Sequence, residues 1–249
     1  MEFLAGYSAV QIAVALAAAI SAAFIRGLAG FGMAILLVPV LALAMSPLEA
    51  VLATNVVAVL IGLSELKRIM KEAEKSAWTI SLLVVIATFP GLYLLSVTAA
   101  PLARVLIALI ALSAFFAMLL PKRPAHHPGA VQTGVVGIIS GLLTGFAGMP
   151  GPPVVPYYLG RDIPKEIAKS SMLLIFTFAA VAGLGSGAAI GVMSWNLIIL
   201  GVLLFPAVLL GNYLGARAFG RVSDATWRFF VMTVLAVTAA ASLARLLGG

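Results

Sequence analysis

The chain has 249 residues, 63% of them hydrophobic and 9% charged, with a mean hydropathy of +1.19. Such a balance excludes a soluble globular domain and places the chain in lipid. The formal charge of +7 does not mark a nucleic-acid surface, because the basic residues fall in short connections between apolar runs and form no face interleaved with aromatics; they read as orientation signals.

The start, Met1-Glu-Phe-Leu4, lacks a basic n-region, and the first apolar run, 7–25, meets Arg26-Gly27 and not a small-residue cleavage site. No removed signal peptide is expected. Arg26 interrupts the run at the first glycine break, where an unpaired charge is costly and an anionic partner is needed. Every acidic residue of the chain reads as lying in a loop or at a helix end, so the transported solute is one candidate partner; snorkelling to lipid headgroups is the alternative. Gly27, Gly30 and Gly32 then break the helix before a second apolar run, 33–45, that contains Pro39. Ser46-Pro-Leu-Glu49 reads as a capping box with proline at the first helical position. It opens the run 50–66, in which Thr54 and Asn55 offer side-chain donors for an oxyanion or for a neighbouring helix.

A basic loop with Lys67, Arg68, Lys71 and Lys75 follows, then apolar runs 77–99 and 101–120 and the polar, proline-rich linker Pro121-Lys-Arg-Pro-Ala-His-His-Pro-Gly129. His126 and His127 in it are too few for a metal site, and no metal or cofactor is expected. Runs 131–146, 150–160, 167–190, 194–216 and 226–247 complete the chain. No charged residue occurs between Lys75 and Arg104, Arg123 and Arg161, or Lys169 and Arg217, so each gap has room for a span of roughly 20 residues. Only helices keep the backbone paired in lipid, so the runs are helical or half-helical. Gly183, Gly187 and Gly191, like Gly137, Gly141 and Gly145, recur every four residues as packing seams, and Trp78 and Trp195 read as interfacial anchors.

The second half repeats the first. Gly27 matches Gly145, Gly30 matches Gly148, Pro39 matches Pro156, Glu49 matches Glu166, and Phe89-Pro90 matches Phe205-Pro206, at offsets that stay between 116 and 118 residues. The repeats are 1–120 and 131–249, joined by a cytoplasmic linker, 121–130. Treating each glycine-broken segment as a full crossing divides the basic loop residues evenly between the two sides. Treating each as a re-entrant hairpin puts twelve Lys and Arg on one side, leaving Arg26, Arg104 and Arg245 elsewhere. The predicted fold is therefore an all-α integral membrane protein of two inverted repeats, each a glycine-broken re-entrant hairpin plus three transmembrane helices.

The two hairpin tips form the predicted site. Backbone N–H groups and positive helix ends there suit an anion, while glycine for close helix packing is the competing reading. The candidate binding residues are Arg26, Gly27, Gly30, Gly32, Thr54 and Asn55 in the first half, and Thr144, Gly145, Gly148, Met149, Gly151, Ser170 and Ser171 in the second. Spans without His, Cys, Asp or Glu disfavour an intramembrane enzyme and a divalent-metal carrier, and no Walker-type loop is present. A secondary anion transporter working by alternating access is predicted, with an anion channel of the same fold as the alternative.

The Gly-x-x-Gly-x-Gly run ending in proline, its return after a central linker, and Pro-x-Glu opening the next helix resemble the TauE/SafE family of sulfite and organosulfur anion exporters. The second copy, Gly148-Met-Pro-Gly151-Pro-Pro, departs from the glycine-rich pattern. The resemblance implies a small sulfur oxyanion, such as sulfite, sulfoacetate or another sulfonate, carried across a bacterial inner membrane. The coupling ion, proton or sodium, and assembly as a homodimer stay open.

Overall fold

A computed structural model describes residues 6–29, 31–119, 128–219 and 223–247. Gly30 and the linker histidines lie outside them. The described residues form eleven helices and no strand: α1 (Ala9–Ala29), α2 (Met33–Ala44), α3 (Pro47–Ser64), α4 (Leu66–Glu72), α5 (Lys75–Val97), α6 (Ala100–Leu119), α7 (Ala130–Ala147), α8 (Gly151–Leu159), α9 (Lys165–Ile190), α10 (Trp195–Ala218) and α11 (Asp224–Leu247). Seven of them, α1, α3, α5, α7, α9, α10 and α11, are long and apolar enough to cross a membrane, and the chain is a multi-pass membrane protein. Every apolar run of the sequence corresponds to a helix. Helix α4 was expected as loop because of its charges; buried Ile69 anchors it.

The helix pairs joined by glycine breaks have unequal arms. At 1.5 Å per residue, α1 and α7 span about 32 and 27 Å, whereas α2 and α8 reach only about 18 and 14 Å. Polar contacts fix where they point. Near the start of α1, Tyr7 donates to Glu49 Oε1 (3.1 Å) and Gln11 Nε2 to the Ala44 carbonyl (2.6 Å), so α2 returns to the end from which α1 began. Burial and the Glu49 charge push the Tyr7 pKa up to about 12, so its hydroxyl keeps its proton. At the same end Arg104 Nε donates to Ala42 O (2.6 Å), Arg104 Nη2 to Met45 O (3.3 Å), and Arg245 Nη1 to Leu43 O (2.7 Å). The last three carbonyls of α2 and that of its cap, Met45, thus meet cations or an amide, as the helix dipole favours.

The opposite end carries the basic loops. Arg26 pairs with Glu65 there, Glu65 with Arg68, Arg161 with Glu74, and Ser170 donates to Glu72 (2.7 Å). Arg26 therefore belongs to the basic end, whereas its position in the sequence had set it apart from the twelve loop cations. Thr133 and Tyr157 share a hydrogen bond (2.9 Å) at this end, which ties the start of α7 to the end of α8.

Small residues set the closest packings. Helix α1 lies on α10 and α7 on α5. A Cβ on Gly215 would come 3.0 Å from Gly27 Cα, and one on Gly141 would come 2.6 Å from Ala87 Cβ. Gly137 and Gly141 thus form the expected seam, and Gly183 and Gly187 form another against Asn55 and Leu52 of α3. Gly191 instead caps α9 in the left-handed region (φ 78°). The capping box at Ser46 and Glu49 is present in both directions (3.2 and 3.0 Å), whereas at the matching start of α9 Pro164 caps without a side-chain bond. The Phe-Pro pairs of the two halves sit inside α5 and α10.

Candidate functional site

Between Ala29 and α2 the chain turns through Phe31 and Gly32, whose φ of 93° suits glycine because it lacks a Cβ. Gly32 offers no side chain to cap α2, and among the described residues no side chain accepts from the N–H groups of Met33, Ala34 and Ile35, which carry the positive helix end. The other tip is built differently. Gly148, at φ 66°, ends α7 and donates to Thr144 O (2.8 Å), while Met149 N–H donates to Leu143 O (3.2 Å). Helix α8 then opens Gly151-Pro152-Pro153, and two prolines remove two of its first-turn donors. The first tip is thus the better anion donor, an asymmetry that the paired glycine breaks do not reveal.

A cavity lies between the tips. Its volume, about 90 Å³, is enough for a solute of several heavy atoms. Phe31, Gly32 and Met33 line it from the first tip, Gly148, Met149 and Gly151 from the second, Thr54, Asn55, Ala58 and Ile61 from α3, and Lys169, Met172 and Phe176 from α9. Arg26 reaches it from the end of α1. Among the described lining residues two are cationic, Arg26 and Lys169, and none is acidic. Lys169 is also exposed, so the cavity opens toward the basic end.

Asn55 is the most telling of these groups. The residue is 3% exposed, and its Nδ2 has no hydrogen-bond partner among the described residues. A buried donor without an acceptor costs about 1–3 kcal/mol, which a bound acceptor would recover. Thr54 is placed less favourably, since its hydroxyl proton is given to Ala50 O (2.8 Å).

Of the residues singled out in the sequence, Arg26, Gly32, Thr54, Asn55, Gly148, Met149 and Gly151 come together around the cavity. Five others are engaged elsewhere. Gly27 lies on Asn212, Gly215 and Ala216 of α10, and Gly145 on Thr88, Gly91 and Leu92 of α5. Thr144 bonds Ser140 O (2.7 Å), Ser170 bonds Glu72, and Ser171 accepts from Glu74 N–H (3.0 Å). The expectation that Arg26 lacks a protein anion is corrected: Nη2 lies 3.6 Å from Glu65 Oε1, and Nη1 donates to Asn212 Oδ1 (3.1 Å). Glu65 closes α3 at the level that Arg26 reaches.

Sequence reasoning passed over Lys169, Met172 and Phe176 as lining residues. Their spacing, with Leu173, Ala179 and Ala180, follows one face of a helix, as do Thr54, Asn55, Ala58 and Ile61. That periodicity was the available signal.

A family model described as Sulfite exporter TauE/SafE matches residues 15–242. No curated protein and no solved structure matches the chain.

Proposed function

The chain belongs to the sulfite exporter TauE/SafE family, and from that premise we propose that it is a secondary transporter of a bacterial inner membrane carrying a small sulfur oxyanion, sulfite or a sulfonate. The anion binds between the two tips. Arg26 neutralises it, the open first turn of α2 and the Asn55 amide donate to it, and Lys169 draws it in from the basic end. The observation that carries this reading is a cavity whose described lining holds two cations, Arg26 and Lys169, and no carboxylate, together with Asn55, whose Nδ2 finds no hydrogen-bond partner among the described residues.

The proposal includes two inverted repeats with the glycine-broken pairs as re-entrant hairpins, and alternating access through movement of the tips. In its support, the first pair opens at the end marked by Arg104 and Arg245, and the second at the end marked by Arg161 and Glu74. The α1–α10 contact also has its counterpart in α7–α5 under the repeat offset. The carbonyls at the end of α2 are taken by Gln11, Arg104 and Arg245, which argues against a sodium ion held there.

Asn55→Leu tests the site. Removing a hydrogen bond to a charged ligand costs about 1.5–3 kcal/mol, so half-saturation for sulfoacetate uptake into proteoliposomes should rise about 10- to 100-fold. The same change removes a buried unpaired donor and should raise the melting temperature of the empty protein. An unchanged half-saturation would count against Asn55 as an anion donor.

A further inference from the structure

We infer that Glu65 is a tethered counter-anion: its carboxylate holds Arg26 while the cavity is empty and yields that guanidinium to the transported anion. The inference rests on the anion-carrier reading above. Arg26 lines the cavity with only 14% of its side chain exposed, and its one ion-pair partner among the described residues is Glu65. That pair, at 3.6 Å, is longer than a hydrogen bond, whereas the neutral Asn212 holds the other terminal nitrogen at 3.1 Å. The guanidinium is thus positioned by Asn212 and compensated by Glu65 through a contact loose enough to be exchanged.

Glu65 is built to let go. It is both the last cap of α3 and the first of α4, at a joint between two helices, and its side chain is 27% exposed. Its second oxygen, Oε2, pairs with Arg68 on α4. A carboxylate displaced from Arg26 therefore keeps a cation. Among the described residues the neighbouring elements add no acid to the cavity: α9 contributes Lys169 to its lining, and α10 holds Arg26 through the neutral Asn212, while Arg217 of α10 stacks on Tyr213, 4.4 Å from the ring centre.

Carboxylate and sulfur oxyanion both offer negatively charged acceptor oxygens, so both cannot occupy one guanidinium face at once. An empty carrier can then close over a compensated Arg26 and return without cargo. Without Glu65 the bare guanidinium resists closure, and only the loaded form reorients freely.

The test is the ratio of net efflux to anion-for-anion exchange, measured with radiolabelled sulfoacetate in proteoliposomes of wild type and Glu65→Gln. The expected result is a fall in that ratio of at least about tenfold, with exchange continuing. Glu65→Asp, one methylene shorter, still reaches Arg68 and should lower the ratio less; it also serves if Glu65→Gln does not reconstitute. A ratio equal to wild type in either variant, or parallel loss of both fluxes in monodisperse protein, overturns the role of Glu65. Wild-type protein that carries no anion in either mode overturns the transport reading itself, and this inference with it.

Discussion

Arg26→Ala is expected to lower anion transport at least about 100-fold. Two losses combine. The anion forfeits its buried guanidinium, and Glu65, released from that partner, turns a negative charge toward the cavity. A hydrogen bond to a charged group contributes about 1.5–3 kcal/mol, and each 1.4 kcal/mol is a factor of ten in affinity, so about two decades is the expected scale. Arg26→Lys keeps the charge but not the fork that serves Asn212, Glu65 and the anion together, and should lose about tenfold. Uptake of labelled sulfoacetate by proteoliposomes, with monodispersity checked in detergent, measures both. Undiminished uptake by Arg26→Ala would remove the arginine from the site.

Gly145→Leu should fail to give folded protein. A Cβ there would collide with the Thr88 carbonyl, the Leu92 amide and Gly91, all of them backbone in α5 that cannot rotate away. Overpacking of a fitted interface costs about 1–3 kcal/mol when side chains can yield, and more is expected where only backbone faces the new group. Gly134, on the same helix, has nothing within 4 Å of its would-be Cβ, so Gly134→Leu should fold normally. The yield of monodisperse protein compares the two. A well-folded Gly145→Leu that merely binds anion less tightly would return Gly145 to the binding site proposed for it from the sequence.

These two residues show what the sequence could convey. Charge-free stretches located the spans, because ionisable groups are costly in lipid and apolar runs leave no alternative to helix. Breaks at Gly32 and Gly148 were legible as well, and both adopt φ values that suit glycine. What could not be read was which glycine serves which purpose. Gly27 and Gly145 admit a neighbouring backbone, while Gly32 and Gly148 make the turn, and a glycine letter is the same in both settings.

The Arg26–Glu65 pair was hidden for a related reason. Glu65 reads as a loop residue after α3, and only the length of α1 brings its last turn to that level. Hairpins of two equal half-helices would have left Arg26 far from any acid. Ser170 and Ser171 illustrate the reverse case. As the repeat partners of the segment around Thr54 they looked equivalent, yet Glu72 and Glu74, which have no counterpart in the second half, draw them to the basic end.

The central claim is that a sulfur oxyanion occupies the cavity between the two tips. The chain has no cysteine, so Ala58→Cys, a near-isosteric change on the cavity face of α3, gives a single reporter. Its rate of modification by a sulfonate-bearing methanethiosulfonate should fall at least about tenfold with saturating sulfoacetate and stay unchanged with choline. A rate indifferent to sulfoacetate would contradict the account.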